Sequence, residues 1–322
     1  MNRMSRRALL GAAALPLAAP ALAAFPERTV RIISGYAPGG LNDIISRAMA
    51  QALTPLLGQP VVVENRPGAN GGIGATAAAR SAPDGHTLWM GIVDTQAINP
   101  NAYKGLQYDP ERDFAPISLV ARFPFGLVVG PTQPQIRDFP ALVEAARQAP
   151  GKLTYASWGI ASTPHLAMER ILRAKEIEML HVPFTSQAPA MQAILGGQVD
   201  CFALPAGGAE SLVRDGKARC VAVLAPGPVP ILPGAPPVTE FGIGLTSGLW
   251  KAIYAPARTP PELVQRLNTL VREAMQAPSF VEVVRQQGAV PEPSTPEALA
   301  ALGQRERIAW GEVVRATGAT LD

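Results

Sequence analysis

Small residues and a single carboxylate make up the stretch Gly35-Tyr36-Ala37-Pro38-Gly39-Gly40-Leu41-Asn42-Asp43. Where a strand breaks into such a turn and the turn opens a helix, the first backbone N–H groups have no partner of their own. With the positive end of the helix dipole they favour an anion, here read as a carboxylate. Asp43 has the wrong sign for that ligand. It is better suited to accept from the turn's own N–H groups and fix its shape. A second stretch, Ser157-Trp158-Gly159 followed by Ser162, Thr163, Pro164 and His165, has the same character. Ser162 or Thr163 caps a helix there, and Pro164 fits its first turn. Two helix N-termini aimed into one cleft suit a dicarboxylate, or a carboxylate plus a polar group.

These turns need strands and helices to hold them. Val30–Ile33 reads as a strand. Asn42–Leu57 reads as a helix, with Ile44, Ile45, Ala48, Met49, Ala52, Leu53 and Leu56 at helical spacing. Pro55 bends its last turn and Gly58 ends it. A buried strand to Glu64, a Gly-rich turn Asn65–Gly72, a helix Ile73–Ala82 and a strand Thr87–Val93 complete a βαβαβ unit, hence a parallel sheet flanked by helices. Asp94 and Thr95, at the end of that strand, are expected to line the cleft. Thr95 would donate to a carboxylate, and Asp94 would accept from a hydroxyl or amine. Residues 98–110 read as looser chain.

Strands at Phe114–Val120 and Phe125–Val129 follow, then a second alternation. It comprises strands Leu153–Ser157, Glu178–Val182, Val199–Leu204 and Ala218–Leu224, and helices Phe139–Ala149, Pro164–Ala174, Ala188–Leu195 and Gly208–Asp215. The Pro-rich run Ala225–Pro237 reads as an extended linker back to the first unit. Helices at Pro261–Gln276, Ser279–Gln287 and Pro296–Thr317 close the chain. The fold class is therefore α/β in two lobes, each a mostly parallel sheet flanked by helices, joined by two crossovers. Lobe I takes 25–121 and 232–322, and lobe II takes 122–231. The cleft between them is the ligand site and the crossovers are hinges.

The chain has 322 residues, 48% hydrophobic and 16% charged. Residues 1–24 read as an export signal: Arg3, Arg6 and Arg7 precede the apolar run Ala8–Ala19, and Ala21-Leu22-Ala23 fits cleavage near Ala23 or Ala24. Ser5-Arg6-Arg7 suits twin-arginine export, with a Sec signal as the alternative. Removing those three arginines from the 28 basic side chains leaves 25, matching the 25 acidic ones. The sequence pI of 9.0 therefore signals no affinity for nucleic acid or membranes. No run of 18 apolar residues follows the signal. Gly-x-Ser-x-Gly, the phosphate-loop motif and His-Glu-x-x-His are missing. His86, His165 and His181 stand apart in sequence, so neither metal nor cofactor is expected. Cys201 and Cys220 lie in apolar runs, open to oxidation in an exported protein but suited to buried thiols.

Further motifs run through the chain in order. They include Tyr36-Ala37-Pro38-Gly39-Gly40-x-x-Asp43; Gly58-Gln59-Pro60-Val61-Val62-Val63-Glu64-Asn65-Arg66-Pro67-Gly68-Ala69; and Ala82-Pro83-Asp84-Gly85-x-Thr87-Leu88. Tyr108-Asp109-Pro110, Asp113-Phe114-Ala115-Pro116, Tyr155-Ala156-Ser157-x-Gly159, Pro164-His165-Leu166, His181-Val182-Pro183-Phe184, Gly196-Gly197-Gln198-Val199-Asp200 and Trp310-Gly311 follow. As an ordered set they resemble the substrate-binding receptors of tripartite tricarboxylate transporters, the Bug-type periplasmic solute-binding family. The resemblance implies Venus-flytrap closure on a small di-, tri- or aromatic carboxylate, transient contact with membrane transporter subunits, and no catalysis. It also implies a periplasmic location, and we expect a monomer with no nucleic-acid partner.

Matched to this chain, the ligand site comprises Tyr36, Ala37, Pro38, Gly39, Gly40 and Asp43 in the first lobe, with Asp94 and Thr95. In the second lobe it comprises Ser157, Trp158, Gly159, Thr163, His165 and Phe184. Trp158 replaces a residue that is often small, and either stacks on an aromatic ligand or packs within its lobe. Thr185-Ser186 replaces the common Lys-Gly, and Leu204 stands near a position that some members give to an acid. A sensory receptor is the alternative function. An enzyme built on Ser157 and His165 is a further one.

Overall fold

The computed structural model describes residues 25–244 and 248–321, so the expected signal and its cleavage site lie outside the described residues. Two five-stranded sheets organise them. The first contains β1 (Val30–Ser34), β2 (Val61–Asn65), β3 (Thr87–Ile92), β4 (Phe114–Phe123) and β10 (Leu249–Pro256), in the order β2-β1-β3-β10-β4. β1 pairs in parallel with β2 and β3, and β10 runs antiparallel between β3 and β4. The second sheet contains β5 (Phe125–Val129), β6 (Thr154–Ser157), β7 (Leu180–Pro183), β8 (Cys201–Pro205) and β9 (Arg219–Leu224), in the order β7-β6-β8-β5-β9. Here β5 is the antiparallel strand, again fourth from the same end. The two sheets thus share one plan, each with one strand running against the rest.

Hydrophobic continuity explains the central strands. β3 is Thr-Leu-Trp-Met-Gly-Ile and β10 is Leu-Trp-Lys-Ala-Ile-Tyr-Ala-Pro, and both are buried along their whole length. That is the pattern of strands covered on both faces. Helix α1 (Leu41–Leu57) follows β1, and Gly58 ends it in the left-handed conformation, φ 65°, donating to Thr54 O. Helix α2 (Gly72–Ala79) lies close over the β1–α1 turn. A Cβ at Gly35 would come within 2.9 Å of the Gly71 backbone, so only glycine permits this approach.

Three features differ from the sequence expectation. Residues 98–102, read as loose, are helical: a π-helical turn (Asp94–Ile98) leads into the short helix α3 (Asn99–Ala102), all continuous with the end of β3. Such turns are uncommon and are often found at functional sites. β10 has no counterpart in that expectation, and it supplies the central pairing of the first sheet. Finally, the chain stays with the second sheet beyond residue 231. Val223 N donates to Pro236 O, and the Phe241 ring packs 4.6 Å from that of Phe139, in helix α4 (Phe139–Gln148). We therefore propose that lobe II extends at least to Phe241.

Helices α5 (Thr163–Lys175), α6 (Gln187–Leu195) and α7 (Ala206–Arg214) cover the second sheet. Helices α8 (Pro261–Ala274), α9 (Pro278–Gln286) and α10 (Pro296–Thr317) return to the first. Cys201 on β8 and Cys220 on β9 flank opposite sides of β5, facing Val129 and Val128. Two strand spacings, roughly 9.5 Å, separate them, too far for a disulfide. Both are free thiols. Among the described residues no helix is long and apolar enough to cross a membrane.

Candidate functional site

The carboxyl ends of β1 and β3 and the start of β10 meet the ends of β6, β7 and β8 across the seam between the sheets. This is the edge at which open α/β sheets bind ligands. A cavity of about 30 Å³ lies there, room for about two water molecules. Its first-lobe wall includes Tyr36, Ala37, Gly40, Asn42 and Lys251. Its second-lobe wall includes Trp158, Ser186, Gln187 and Pro205.

Asp43 shapes the first turn from within. Its carboxylate accepts from Gly39 N–H (3.1 Å) and Asn65 Nδ2 (3.0 Å) and pairs with Arg47. Burial alone would raise its pKa. The bonds from Arg47, Gly39 and Asn65 outweigh that and hold it below the usual carboxylate range. Pro38 and Gly39 are exposed at the rim, and Gly39 needs its φ of +85°. Tyr36 presents its ring to the cavity while its hydroxyl is taken by Asn70.

Each of the two helix N-termini is occupied, and in each case by the opposite lobe. At α1 the Leu41 N–H donates to Gln187 Oε1, 3.1 Å, from α6. At α5 the Asp94 carboxylate, from the π turn of the first lobe, accepts from Thr163 N–H (3.2 Å), from Trp158 Nε1 (2.8 Å) and from Thr163 Oγ1. The N-cap residue of α5, Ser162, makes no capping bond, and its hydroxyl donates to Gly159 O instead. Asp94 therefore does the capping across the seam. Trp158 packs within the protein and also reaches the cavity. It packs edge-on to Phe125 and Phe202, and its ring still lines the cavity.

Buried in the cavity wall is a lysine that sequence reasoning missed. Lys251 is 1% exposed. Its Nζ donates to Asn42 Oδ1 at 2.9 Å and lies 6.0 Å from the Phe123 ring centroid. Burial pushes its pKa down to about 7, against an opposing pull from Asp94. Asp94 shows the converse. Burial drives its pKa up, and its bonds to Thr163 and Trp158 and the charge of Lys251 offset that only in part. The signal for Lys251 was its position as the lone charge in a run of apolar residues. Ser186 also lines the cavity, 2% exposed, and its hydroxyl has no partner among the described residues.

The fold and this seam have counterparts among known proteins. Residues 45–319 match the family described as the tripartite tricarboxylate transporter family receptor. The chain belongs to this receptor family. BugT of Bordetella pertussis is 33% identical over 328 residues, spanning 100% of both chains. A protein of R. palustris solved with adipate superposes with a TM-score of 0.88 at 30% identity, over 92% of this chain and 100% of the other. MatC of Rhodopseudomonas palustris, solved with malate, gives 0.84 at 32%, over 90% and 100%. These neighbours share the two-lobe architecture, so the receptor has the fold of a periplasmic binding protein.

The remaining expected site residues of the receptor are turned elsewhere. Thr95 Oγ1 closes on the backbone of Ile92, so its hydroxyl does not face the cavity. Ser157 Oγ donates to Gly159 O, accepts from Gly159 N–H and lies 2.6 Å from His181 Nε2. His165 Nδ1 accepts from Ala161 N–H, and its ring stacks on His181 with centroids 4.0 Å apart. The Ser157–His165 pairing considered for catalysis is therefore not formed; Ser157 meets His181. Burial lowers the pKa of both histidines, His181 to about 3 with help from its neighbour. Phe184 packs against the hydrophobic core and donates its N–H to Ser157 O. No group of three or more His, Cys, Asp or Glu among the described residues could hold a metal ion.

Proposed function

We propose that this receptor is exported to the periplasm by its 1–24 signal, binds a small organic carboxylate between its lobes, and delivers it to a tripartite tricarboxylate-type membrane transporter. It acts as a monomer and carries out no chemistry on its ligand. The observation that carries this reading is the seam cavity, where the N-terminus of α1, the Lys251 ammonium and the unpartnered Ser186 hydroxyl converge. These are groups that favour a bound carboxylate. Adipate and malate in the structural neighbours support the same ligand class.

The lobes part to admit the ligand, since a cavity of about 30 Å³ is filled by water alone. Closure is then driven by contacts that need both lobes. A thermal-shift panel of mono-, di-, tri- and aromatic carboxylates tests this, because a ligand of the folded state raises apparent stability by mass action. A saturable rise with at least one acid is expected, and no shift with any of them would refute the reading. Native mass spectrometry of protein purified from the periplasm would identify a co-purified ligand and its stoichiometry.

A further inference from the structure

The donors and acceptors of the seam are unequally spent. Asp94, the carboxylate at α5, receives three hydrogen bonds from the second lobe. Lys251 offers three protons and gives one to Asn42. Ser186 gives none. At α1 the Leu41 N–H is held by a neutral amide oxygen, which a carboxylate outcompetes at a helix N-terminus. Asn42, bonded to Lys251, directly follows Leu41, and Leu41, Asn42, Ser186 and Lys251 all line the one cavity. The open donors thus share the cavity wall, whereas the N-terminus of α5 is already held by Asp94, which lies behind that wall, bonded to Trp158.

Resting on the carboxylate reading above, we propose that the receptor takes a ligand with a single carboxylate. Lys251, Ser186 and the N-terminus of α1 hold that group. Asp94 occupies the second anion position and turns a second carboxylate away. The charges agree. Lys251 and Asp94 balance one another in the closed seam, and a monoanion whose remainder is neutral adds one buried charge where a dianion adds two. The part of the ligand that reaches Trp158 and Pro205, with Asp94 bonded to Trp158 Nε1 behind them, is then uncharged.

Protonation gives a readout that a merely structural lysine would not move. The titratable groups around Lys251 are Asp94 from the π turn and Tyr36 from the β1–α1 turn. β4, α6 and β8 contribute Phe123, Ser186, Gln187 and Pro205, none of which titrates. The Lys251 ammonium, with a pKa near 7 in the free protein, is largely neutral at pH 8. A bound carboxylate restores the charge, so binding at that pH takes up a proton.

The test is calorimetry with matched acids, hexanoate against adipate and benzoate against terephthalate, after a wider thermal-shift panel of paired mono- and dicarboxylates. For the intact receptor each monoacid that binds is expected to bind about tenfold or more tightly than its diacid. Proton uptake at pH 8 is read by repeating the titration in buffers of different ionisation enthalpy. Lys251→Gln, which can still bond Asn42, should weaken the monoacid about 10- to 100-fold and abolish the uptake. Lys251→Met repeats the test with an apolar group in place of the ammonium; it leaves Asp94 without its counter-charge, so the melting temperature of the free protein should fall, and binding is read well below it. Asp94→Asn should shift preference toward the diacid. A diacid that binds the intact receptor more tightly, or unchanged affinity in both Lys251 variants, overturns this inference and leaves the carboxylate reading standing. No binding of any acid to the intact receptor overturns both.

Discussion

At the N-terminus of α1 the group arriving from the opposite lobe is an amide oxygen; at the N-terminus of α5 it is a carboxylate. The two helix starts resemble each other in sequence, each a short turn of small residues after a parallel strand. Their partners make them different devices. Gln187 is neutral, makes one bond to the first lobe, and sits in the cavity wall where a ligand can displace it. Asp94 is fully buried and accepts from two residues of the second lobe while balancing Lys251. One is a placeholder and the other is a strut. An anion-binding geometry therefore says where an anion fits, and the neighbouring lobe decides whether that anion is the ligand or the protein itself.

The sharpest way to break this contrast is Asp94→Ala. It leaves the buried donors of Trp158 and Thr163 unpaired and uncaps α5, while Lys251 can shed its proton, so unfolding free energy should fall by about 2–4 kcal/mol. Chemical denaturation would measure it, and a loss under about 1 kcal/mol would make Asp94 a placeholder too. Acid should loosen the second lobe less severely, since His181 keeps some access to water. The His165 and His181 pKa values are lowered in the folded state, so their contribution to stability is complete above the free-histidine pKa of roughly 6.5. It is lost as pH falls toward about 3. Amide exchange across that window should show lobe II loosening before lobe I.

Gly39 and Gly40 should part company next. A side chain at Gly39 would point into open space, but the backbone there has a positive φ, so Gly39→Val should cost roughly 1–3 kcal/mol of stability through strain. A Cβ at Gly40 meets Gln187 Cβ at 3.6 Å without strain. Gly40→Val should therefore hold the seam apart and weaken ligand binding more than it lowers the melting temperature. The smallest effect belongs to Gln187→Ala. Losing one neutral bond should cost about 0.5–1.5 kcal/mol, with carboxylate affinity kept or improved. A large loss of affinity there would show Gln187 to be a ligand contact.

Most of the scaffold was legible because its signals are local. The apolar spacing of α1, Gly58 at its end and the run Pro296–Thr317 each carry their own start or stop. The π turn was not, since Asn99-Pro100 reads as a break and five-residue turns have no period of their own. β10 was missed because a lysine interrupts its apolar run and the proline-rich chain before it reads as linker. With β10 went Lys251, the charge at the centre of the seam. Ser157, Thr95 and His165 were chosen for their chemistry, but their polar atoms are spent on nearby backbone and on His181. The pairing of Asp94 with Thr163, 69 residues apart, could come only from the fold.

The late arrival of β10 also sets an order of assembly. The strands of the second sheet lie in one continuous stretch from Phe125 to Leu224, so lobe II can be completed while the last quarter of the chain is still being made. Lobe I cannot. Until Leu249–Pro256 slots between β3 and β4, those strands have no bond to one another, and each presents a bare edge to any other chain. A chain cut short before Leu249 would hold a finished second lobe and a first lobe split in two, with every group needed to stick to its neighbours and none of the lysine needed to recognise a ligand.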